Sequence, residues 1–457
     1  MPNEIALKCA LNVGTVPSGG EARLVYLLVD AMPGPGAELL QAPVNMAMVL
    51  DVSESMRLPV LSQEQFQILS KMGHVSETIS DGVPVWTFKS IPHHIRKNAP
   101  SNLEAVQASV AQSTRHFEAH DRLSVVAFAD RAQVLLSGVP GSEQRRMLDA
   151  ITSLESTQLG DETDMGDGLR MGIDEALRGQ TPDMVNRMLI LTDGFTRDPD
   201  RVKEIAAEAR RAGIAISTLG IGTEFNEDLL VNLADSSLGN AYFARVPQEI
   251  PTAFAQELAI VQEIVARGLK IVVQFSAGVE MRRAYRVRPA ISLVSDLSRD
   301  GRSVTIPVGD LNPTNPPALL IEMLVPAQKD GTYRIAQVSA IHNGAQDGQP
   351  EVRSDVVLKY APTVDRGAHD ARVMNIVERV SAYVLQTKAL DDAAAGNKAS
   401  ATQKLKAAAT RLLSVGETNL AKAVEEEAVR LGADGEVSPE AAKELRYATR
   451  KLTQRVR

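Results

Sequence analysis

The chain has 457 residues, more than one hydrophobic core commonly supports, so several domains are expected. Its 44% hydrophobic and 23% charged residues are those of ordinary folded protein; a 4% aromatic content argues against a stacking surface for bases or sugars, and a formal charge of -8 disfavours nucleic acid and anionic lipid. Cys9 is the only cysteine, which excludes an intrachain disulfide and a cysteine zinc cluster and fits a reducing, cytoplasmic setting.

In chain order, Met1 to Leu11 lacks the basic start and apolar stretch of a leader, and no later segment has the roughly 18 apolar residues of a membrane span. Ile5, Leu7, Cys9 and Leu11 alternate with polar or small residues, and Arg23 to Val29 is a second strand-like run after Pro17-Ser18-Gly19-Gly20. Pro33-Gly34-Pro35-Gly36 then breaks the chain. From Val44 to about Val265 strands and helices alternate. The strands are Val44 to Leu50, Leu123 to Phe128 paired with Ala132 to Leu136, Val185 to Leu191, Ile214 to Ile221 and Ala241 to Ala244. The helices are Leu103 to Phe117, Met165 to Leu177, Val202 to Arg211, Glu227 to Ala234 and Gln248 to Val265. Apolar strands without alternation are covered on both faces, so this part is expected to be α/β, a doubly wound and mostly parallel sheet.

From Leu269 to about Tyr360 the sequence returns to strands: Ile271 to Phe275, Ile291 to Val294, Val304 to Val308, Leu319 to Val325, Tyr333 to Ser339 and Val352 to Lys359. The expectation is a β-sandwich of residues 266–362, joined by the strands of residues 1–42, with residues 43–265 inserted between them. After Pro362 an alanine-rich helical stretch with breaks near Gly396, Gly416 and Gly432 to Gly435 predicts a C-terminal helical bundle of residues 363–457, or else a dimerisation arm; the sequence leaves oligomeric state open. Its basic end, Lys443, Arg446, Arg450, Lys451, Arg455 and Arg457, reads as a solvated helix face.

The chemistry concentrates at three places. Met46 to Leu50 is an apolar strand that delivers Asp51, followed by Ser53 and Ser55. Leu189-Ile190-Leu191-Thr192 ends a second strand in Asp193-Gly194. Gly160 to Met165 places Thr163 on a loop just before a helix. Strand carboxyl ends of doubly wound sheets share one edge, where ligands bind. This set, in this order, resembles the von Willebrand factor A domain family with its metal-ion-dependent adhesion site, over about Val44 to Val265. Two carboxylates with three hydroxyls suit a hard cation, Mg²⁺, with Mn²⁺ or Ca²⁺ as alternatives. The resemblance implies that Ser53, Ser55 and Thr163 coordinate directly, that Asp51 and Asp193 act largely through water, and that an open position receives an Asp or Glu of a protein partner. The competing reading has the hydroxyls capping helices.

Small residues commonly precede the loop threonine in that family, whereas here Asp161 and Glu162 do, with Asp164 just after. These three and Glu54 are candidate gating or outer residues, Glu162 being placed to block the open position; solvated loop acids are the plainer reading. A second departure is length, since about forty-five residues separate Met56 from the helix near Leu103. This insertion, residues 57–101, carries an expected helix at Gln63 to Met72 and a strand at Pro84 to Phe88. Long loops at binding edges are often functional, and Trp86 and Phe88 could anchor a partner or pack the insertion. His93 and His94 lack the convergent partners of a zinc site.

Other enzyme motifs fail. In His116-Phe117-Glu118-Ala119-His120 the glutamate is turned about 200° from the first histidine. The acids of Asp161 to Gly168 lack calcium-loop spacing, Gly220-Ile221-Gly222 lacks a third glycine, and there is no Gly-x-Ser-x-Gly elbow. Three functions follow. The first is a non-enzymatic, metal-dependent protein-binding module. The second is the von Willebrand A subunit of an ATPase-driven metal-insertion or remodelling complex. The third is a metallohydrolase with Glu162 as base.

Overall fold

The computed structural model describes residues 4–456 apart from 41, 81–82, 89, 182, 197, 296, 344–351, 365–367, 435–436 and 455, and gives the backbone alone for 77–80, 83–87, 434 and 439. The chain forms two compact units, an inner one of Ala42–Val261 and an outer one of Met1–Gln41 with Gln262–Arg457. It begins in the outer unit with β1 (Ile5–Leu11), β2 (Thr15–Pro17) and β3 (Arg23–Pro33). Where it leaves and where it returns are tied, the Leu40 N–H donating to the Ile264 carbonyl at 2.7 Å.

The inner unit starts with β4 (Val44–Asp51), all of whose residues are buried, and the short α1 (Glu54–Arg57). The insertion follows as α2 (Gln63–Lys71), the hairpin β5 (Val75–Ser80) and β6 (Val83–Phe88), and α3 (His93–Arg96). Next come α4 (Asn102–Ser113), β7 (Arg122–Phe128), β8 (Ala132–Pro140), α5 (Gln144–Ser153) and α6 (Met165–Gly179). The unit closes with β9 (Val185–Thr192), α7 (Pro199–Arg211), β10 (Ala215–Ile221), α8 (Glu227–Ser237), β11 (Ala241–Ala244) and α9 (Ile250–Gln262).

Its sheet runs β11-β10-β9-β4-β7-β8, parallel throughout except for the β7–β8 hairpin. Helices cover both faces, which is why β4, β9 and β10 read as unbroken apolar runs; each fully buried Met or Leu among them is worth about 1.5–3 kcal/mol. The order reverses between β4 and β9, the switch point at which such sheets hold ligands. Helix α6 lies unusually close to this place. A Cβ at Gly172 would come within 2.4 Å of the Val49 side chain, and one at Gly168 within 2.7 Å of the Phe128 ring.

Returning to the outer unit, the chain adds β12 (Ala266–Phe275), β13 (Glu280–Arg288), β14 (Ser292–Leu293), β15 (Ser298–Asp300), β16 (Ser303–Leu311), β17 (Ala318–Val325), β18 (Gly331–Ile341) and β19 (Val352–Ala361). Two sheets, β1-β3-β17-β13-β14 and β15-β16-β12-β18-β19-β2, enclose one core that includes Val25, Leu27, Val29, Val273, Ile306 and Val338. The opposite face of the first sheet carries Leu28 and Leu320 into a second core with α10 (Ala371–Ala394), α11 (Lys398–Ser414), α12 (Thr418–Asp434) and α13 (Pro439–Arg450). Both faces of β3 are therefore covered, so it reads as a continuous apolar run although its sheet is antiparallel.

Two buried charges fasten the helices. Asp30, 1% exposed, accepts Arg372 Nη1 at 2.8 Å and Nη2 at 2.9 Å and also pairs with Arg288 on β13. Arg379 on α10 donates to the carbonyl of Val415, which caps α11, at 3.3 Å and to that of Leu452, in the turn after α13, at 2.9 Å.

The expected α/β unit inserted in a β-sandwich and followed by a helical bundle is what forms. Three local expectations are corrected. The strand at Ile291 to Val294 contracts to Ser292–Leu293, the closing inner helix ends at Gln262, and α5 and β13 were not expected. The basic end is solvated only in part: Lys443, Arg446 and Arg450 are 6%, 8% and 3% exposed, Lys451 is exposed, and Arg455 and Arg457 lie outside the described residues. Arg450 offers its carbonyl to the Ile291 N–H at 2.7 Å. Burial pushes the Cys9 thiol up to about 11, which disfavours the thiolate.

Candidate metal centre

Parallel pairing of β4 with β9 brings Leu50 opposite Leu191, so both strands end together and Asp51 lies beside Thr192. The Thr192 hydroxyl donates to Asp51 Oδ2 at 2.6 Å, and the Ser53 N–H donates to Asp51 Oδ1 at 2.9 Å. Asp193 follows Thr192 directly. It accepts the Ser55 hydroxyl on Oδ1 at 2.7 Å and the Asn102 amide on Oδ2 at 3.0 Å, while the Ser53 and Ser55 hydroxyls lie 3.2 Å apart. Asp51, Ser53, Thr163 and Asp193 are buried and Ser55 is exposed at the rim.

Thr163 arrives from the other side on the loop that leads into α6. A Cβ on Gly194 would lie 2.7 Å from Thr163 Oγ1, so the glycine leaves a hollow that the threonine hydroxyl fills. Asp130 holds this loop. Its carboxylate accepts the Glu162 N–H at 3.1 Å and occupies the space in which a Cβ at Gly160 would stand, and Gly160 itself has φ +114°. The Asp161 carbonyl accepts the Glu54 N–H at 3.4 Å, which joins the threonine loop to the serine turn. Arg57 braces the same turn, donating to the Val52 carbonyl at 3.0 Å and the Glu155 carbonyl at 2.6 Å.

All five sequence-derived residues thus gather at one edge. Of the proposed outer residues, Glu54, Asp161 and Glu162 are exposed, whereas Asp164 caps α6 by accepting the Asp167 N–H at 3.1 Å and faces Arg201 at 3.7 Å. Phe88 sets its ring edge-on to Phe66 at 6.4 Å, fastening the hairpin to α2, while the side chain of Trp86 lies outside the described residues. His93 and His94 are exposed on α3, and among the described residues no group of three or more His, Cys, Asp or Glu gathers as a metal cluster. Thr192, Asn102 and Asp130 were not expected. Thr192 was findable from the register of two parallel strands ending in acids; Asn102 gave no signal.

Electrostatically the site is short of positive charge. Burial first, and then the charge of Asp193, push the Asp51 carboxyl up from 3.8 to about 7; burial likewise raises Asp193. Among the described residues the hydrogen-bond donors to both are neutral hydroxyls, an amide and a backbone N–H, with no basic side chain paired to either. Two buried carboxylates and an all-oxygen donor set, with Thr163 admitted by the absence of a side chain at Gly194, fit a hard divalent cation.

Comparisons with known proteins agree with this architecture. Residues 96–256 match the family profile of the von Willebrand factor type A domain, and residues 371–455 that of the Sll0103-like, C-terminal alpha-helical domain. The first span begins within the insertion, so Asp51, Ser53 and Ser55 precede it. The chain is 25% identical over 298 residues to the uncharacterised protein sll0103 of Synechocystis sp., covering 63% of this chain and 70% of that one. It is 26% identical over 179 residues to the uncharacterised protein YfbK of Escherichia coli, covering 38% of this chain and 31% of the relative. Among solved structures, a von Willebrand factor type A protein from Catenulispora acidiphila aligns with a TM-score of 0.73 at 16% identity over 98% of this chain and 97% of that one. The ArnB paralog VWA2 from Sulfolobus acidocaldarius aligns at 0.56 and 15% identity over 98% and 99%. No described helix is long and apolar enough to cross a membrane.

Proposed function

For this von Willebrand factor type A domain we propose a non-enzymatic role as a divalent-cation-dependent protein-binding module. The carrying observation is that Asp51 and Asp193, both buried and without a basic partner among the described residues, meet the hydroxyls of Ser53, Ser55 and Thr163 at the β4/β9 switch point. These five residues would hold Mg²⁺. When bound, the cation would supply a positive centre for an Asp or Glu carboxylate of the partner. The chain's own part is to hold the donors in place: Thr192 and the Ser53 N–H fix Asp51, Ser55 and Asn102 fix Asp193, and Asp130 fixes the threonine loop.

Capture of partners from native lysate, with Mg²⁺ and with chelator, tests this against Asp51→Ala. Partners held by the wild type in Mg²⁺ and lost in both other conditions are expected. Retention of the same partners by Asp51→Ala would sink the reading.

The raised carboxyl of Asp51 gives a second prediction. Between pH about 4 and 7 the folded, cation-free protein keeps a proton that the unfolded chain has lost. Its stability in chelator should therefore fall by a few kcal/mol as pH rises through that window and level off above it. Saturating Mg²⁺ should abolish the fall. Urea midpoints at pH 5 and pH 8 measure it, and parallel behaviour with and without cation would contradict it.

A further inference from the structure

The insertion between α1 and α4 closes on itself before the chain continues. Pro59 and Ser101 form an isolated antiparallel bridge, and the Val60 N–H donates to the Pro100 carbonyl at 3.2 Å. Ser101 and Glu104 form a reciprocal cap on α4, Ser101 Oγ accepting the Glu104 N–H at 3.1 Å and Glu104 accepting the Ser101 N–H at 2.8 Å. Glu104 is also gripped by both Arg96 nitrogens, at 3.0 and 2.8 Å, and Arg96 donates to the Ala99 carbonyl at 2.9 Å. The neck is thus crossed by backbone bonds and by one two-pronged ion pair from inside the insertion.

Asn102, 7% exposed, is the first residue beyond that neck, and its amide meets Asp193 Oδ2 at 3.0 Å. Ser55, just before the insertion, meets the other oxygen, Oδ1, at 2.7 Å. The two oxygens of one carboxylate are therefore fixed by residues on either side of the insertion. A carboxylate held at both oxygens cannot turn about its Cβ–Cγ bond. Without Asn102, Oδ2 would lose the side-chain amide that meets it in a buried place and the group would be freer to swing.

We infer that Asn102 is a positioning residue for the cation centre, held in register by the neck of the insertion, so that the insertion is built into the site rather than merely overhanging it. The inference rests on the cation reading above. Outer partners of metal-binding carboxylates typically contribute 10–100-fold to affinity. By linkage, whatever shifts the neck shifts cation affinity, and the cation in turn steadies the neck.

The test is calorimetric titration of the full chain with Mg²⁺ and Mn²⁺, paired with melting in chelator. Asn102→Leu keeps the size and removes the donor; the loss of a buried hydrogen bond lowers the melting temperature in chelator by a few degrees, and both cations should weaken at least about tenfold at a temperature where the variant is fully folded, a loss that destabilisation alone would not give. Should the leucine variant fail to fold, Asn102→Ser, too short to reach Asp193, provides the same comparison. Arg96→Gln, which loosens the neck from a half-exposed position, should weaken binding to a smaller extent. Wild-type affinity in the folded Asn102 variant overturns the inference. Asp51→Ala separates the two claims: if it loses binding while Asn102 variants keep it, the inference alone fails; if it too binds normally, the cation reading falls and this inference with it.

Discussion

Exchanging Asp51 for asparagine is expected to weaken Mg²⁺ binding by about 100-fold, the upper end of the range for groups that act on a metal from outside its direct ligands, and at the same time to raise the melting temperature of the chelated protein. The affinity loss follows from removing one of two charges that face the cation. The stability gain follows from the same charge, since Asp51 is fully buried, stands against Asp193, and has its carboxyl pushed up to about 7. Asparagine retains an acceptor for the Ser53 N–H or the Thr192 hydroxyl but carries no charge to repel. For a unit of this size each kcal/mol recovered moves the melting point by about 2–4 °C. Opposite movement of the two readouts is the signature of a residue kept for binding at the expense of stability. A variant that melts lower and still binds would show Asp51 to be structural.

Asp30→Ala should destabilise the outer unit by about 3–5 kcal/mol, the range for breaking one side of a buried ion pair. Asp30 answers Arg288 and Arg372 together, and Arg288 is itself buried with its remaining nitrogens on the Pro316 carbonyl at 3.1 Å and the Val456 carbonyl at 3.2 Å. Arg372 is 24% exposed and can recover some hydration, which places the loss toward the lower end. Asp30→Leu combined with Arg288→Met and Arg372→Met should recover most of it, because well-packed apolar groups commonly match a buried ionic cluster. Urea unfolding measures both. A loss below about 1 kcal/mol, the ceiling for exposed pairs, would mean that the cluster contributes no more than a surface bridge.

What was legible in the sequence was whatever repeats a local rule. Met46 to Leu50 and Leu189 to Thr192 are apolar runs that end in acids, and parallel strands ending in acids place them at one edge. The helix α5 was missed because Gln144-Arg145-Arg146 begins it with polar residues and only Met147 and Ile151 face inward. Strand β13 was missed because Glu280, Arg282, Arg283, Arg286 and Arg288 mask its pattern, although Arg288 is neutralised by Asp30 from a strand far away in sequence. Asn102 looked like an ordinary helix start; its partner Asp193 lies 91 residues further on, and nothing local records that meeting. The basic residues of α13 misled for the opposite reason, since a run of charges looks solvated until a bundle closes around the stems.

The pairing of β3 with β17 sets an order of assembly. Val29 sits beside Leu319, and between them the ribosome must make the whole of Ala42–Val261. During synthesis the inner unit, whose strands all lie within its own span, emerges complete while β1 and β3 still lack the neighbours that cover them. Strands β1 and β3, made before the inner unit, are thus enclosed only after it, and Val25, Leu27 and Leu28 stay open to chaperones, or to strands of another chain, until the sandwich and then the helices arrive.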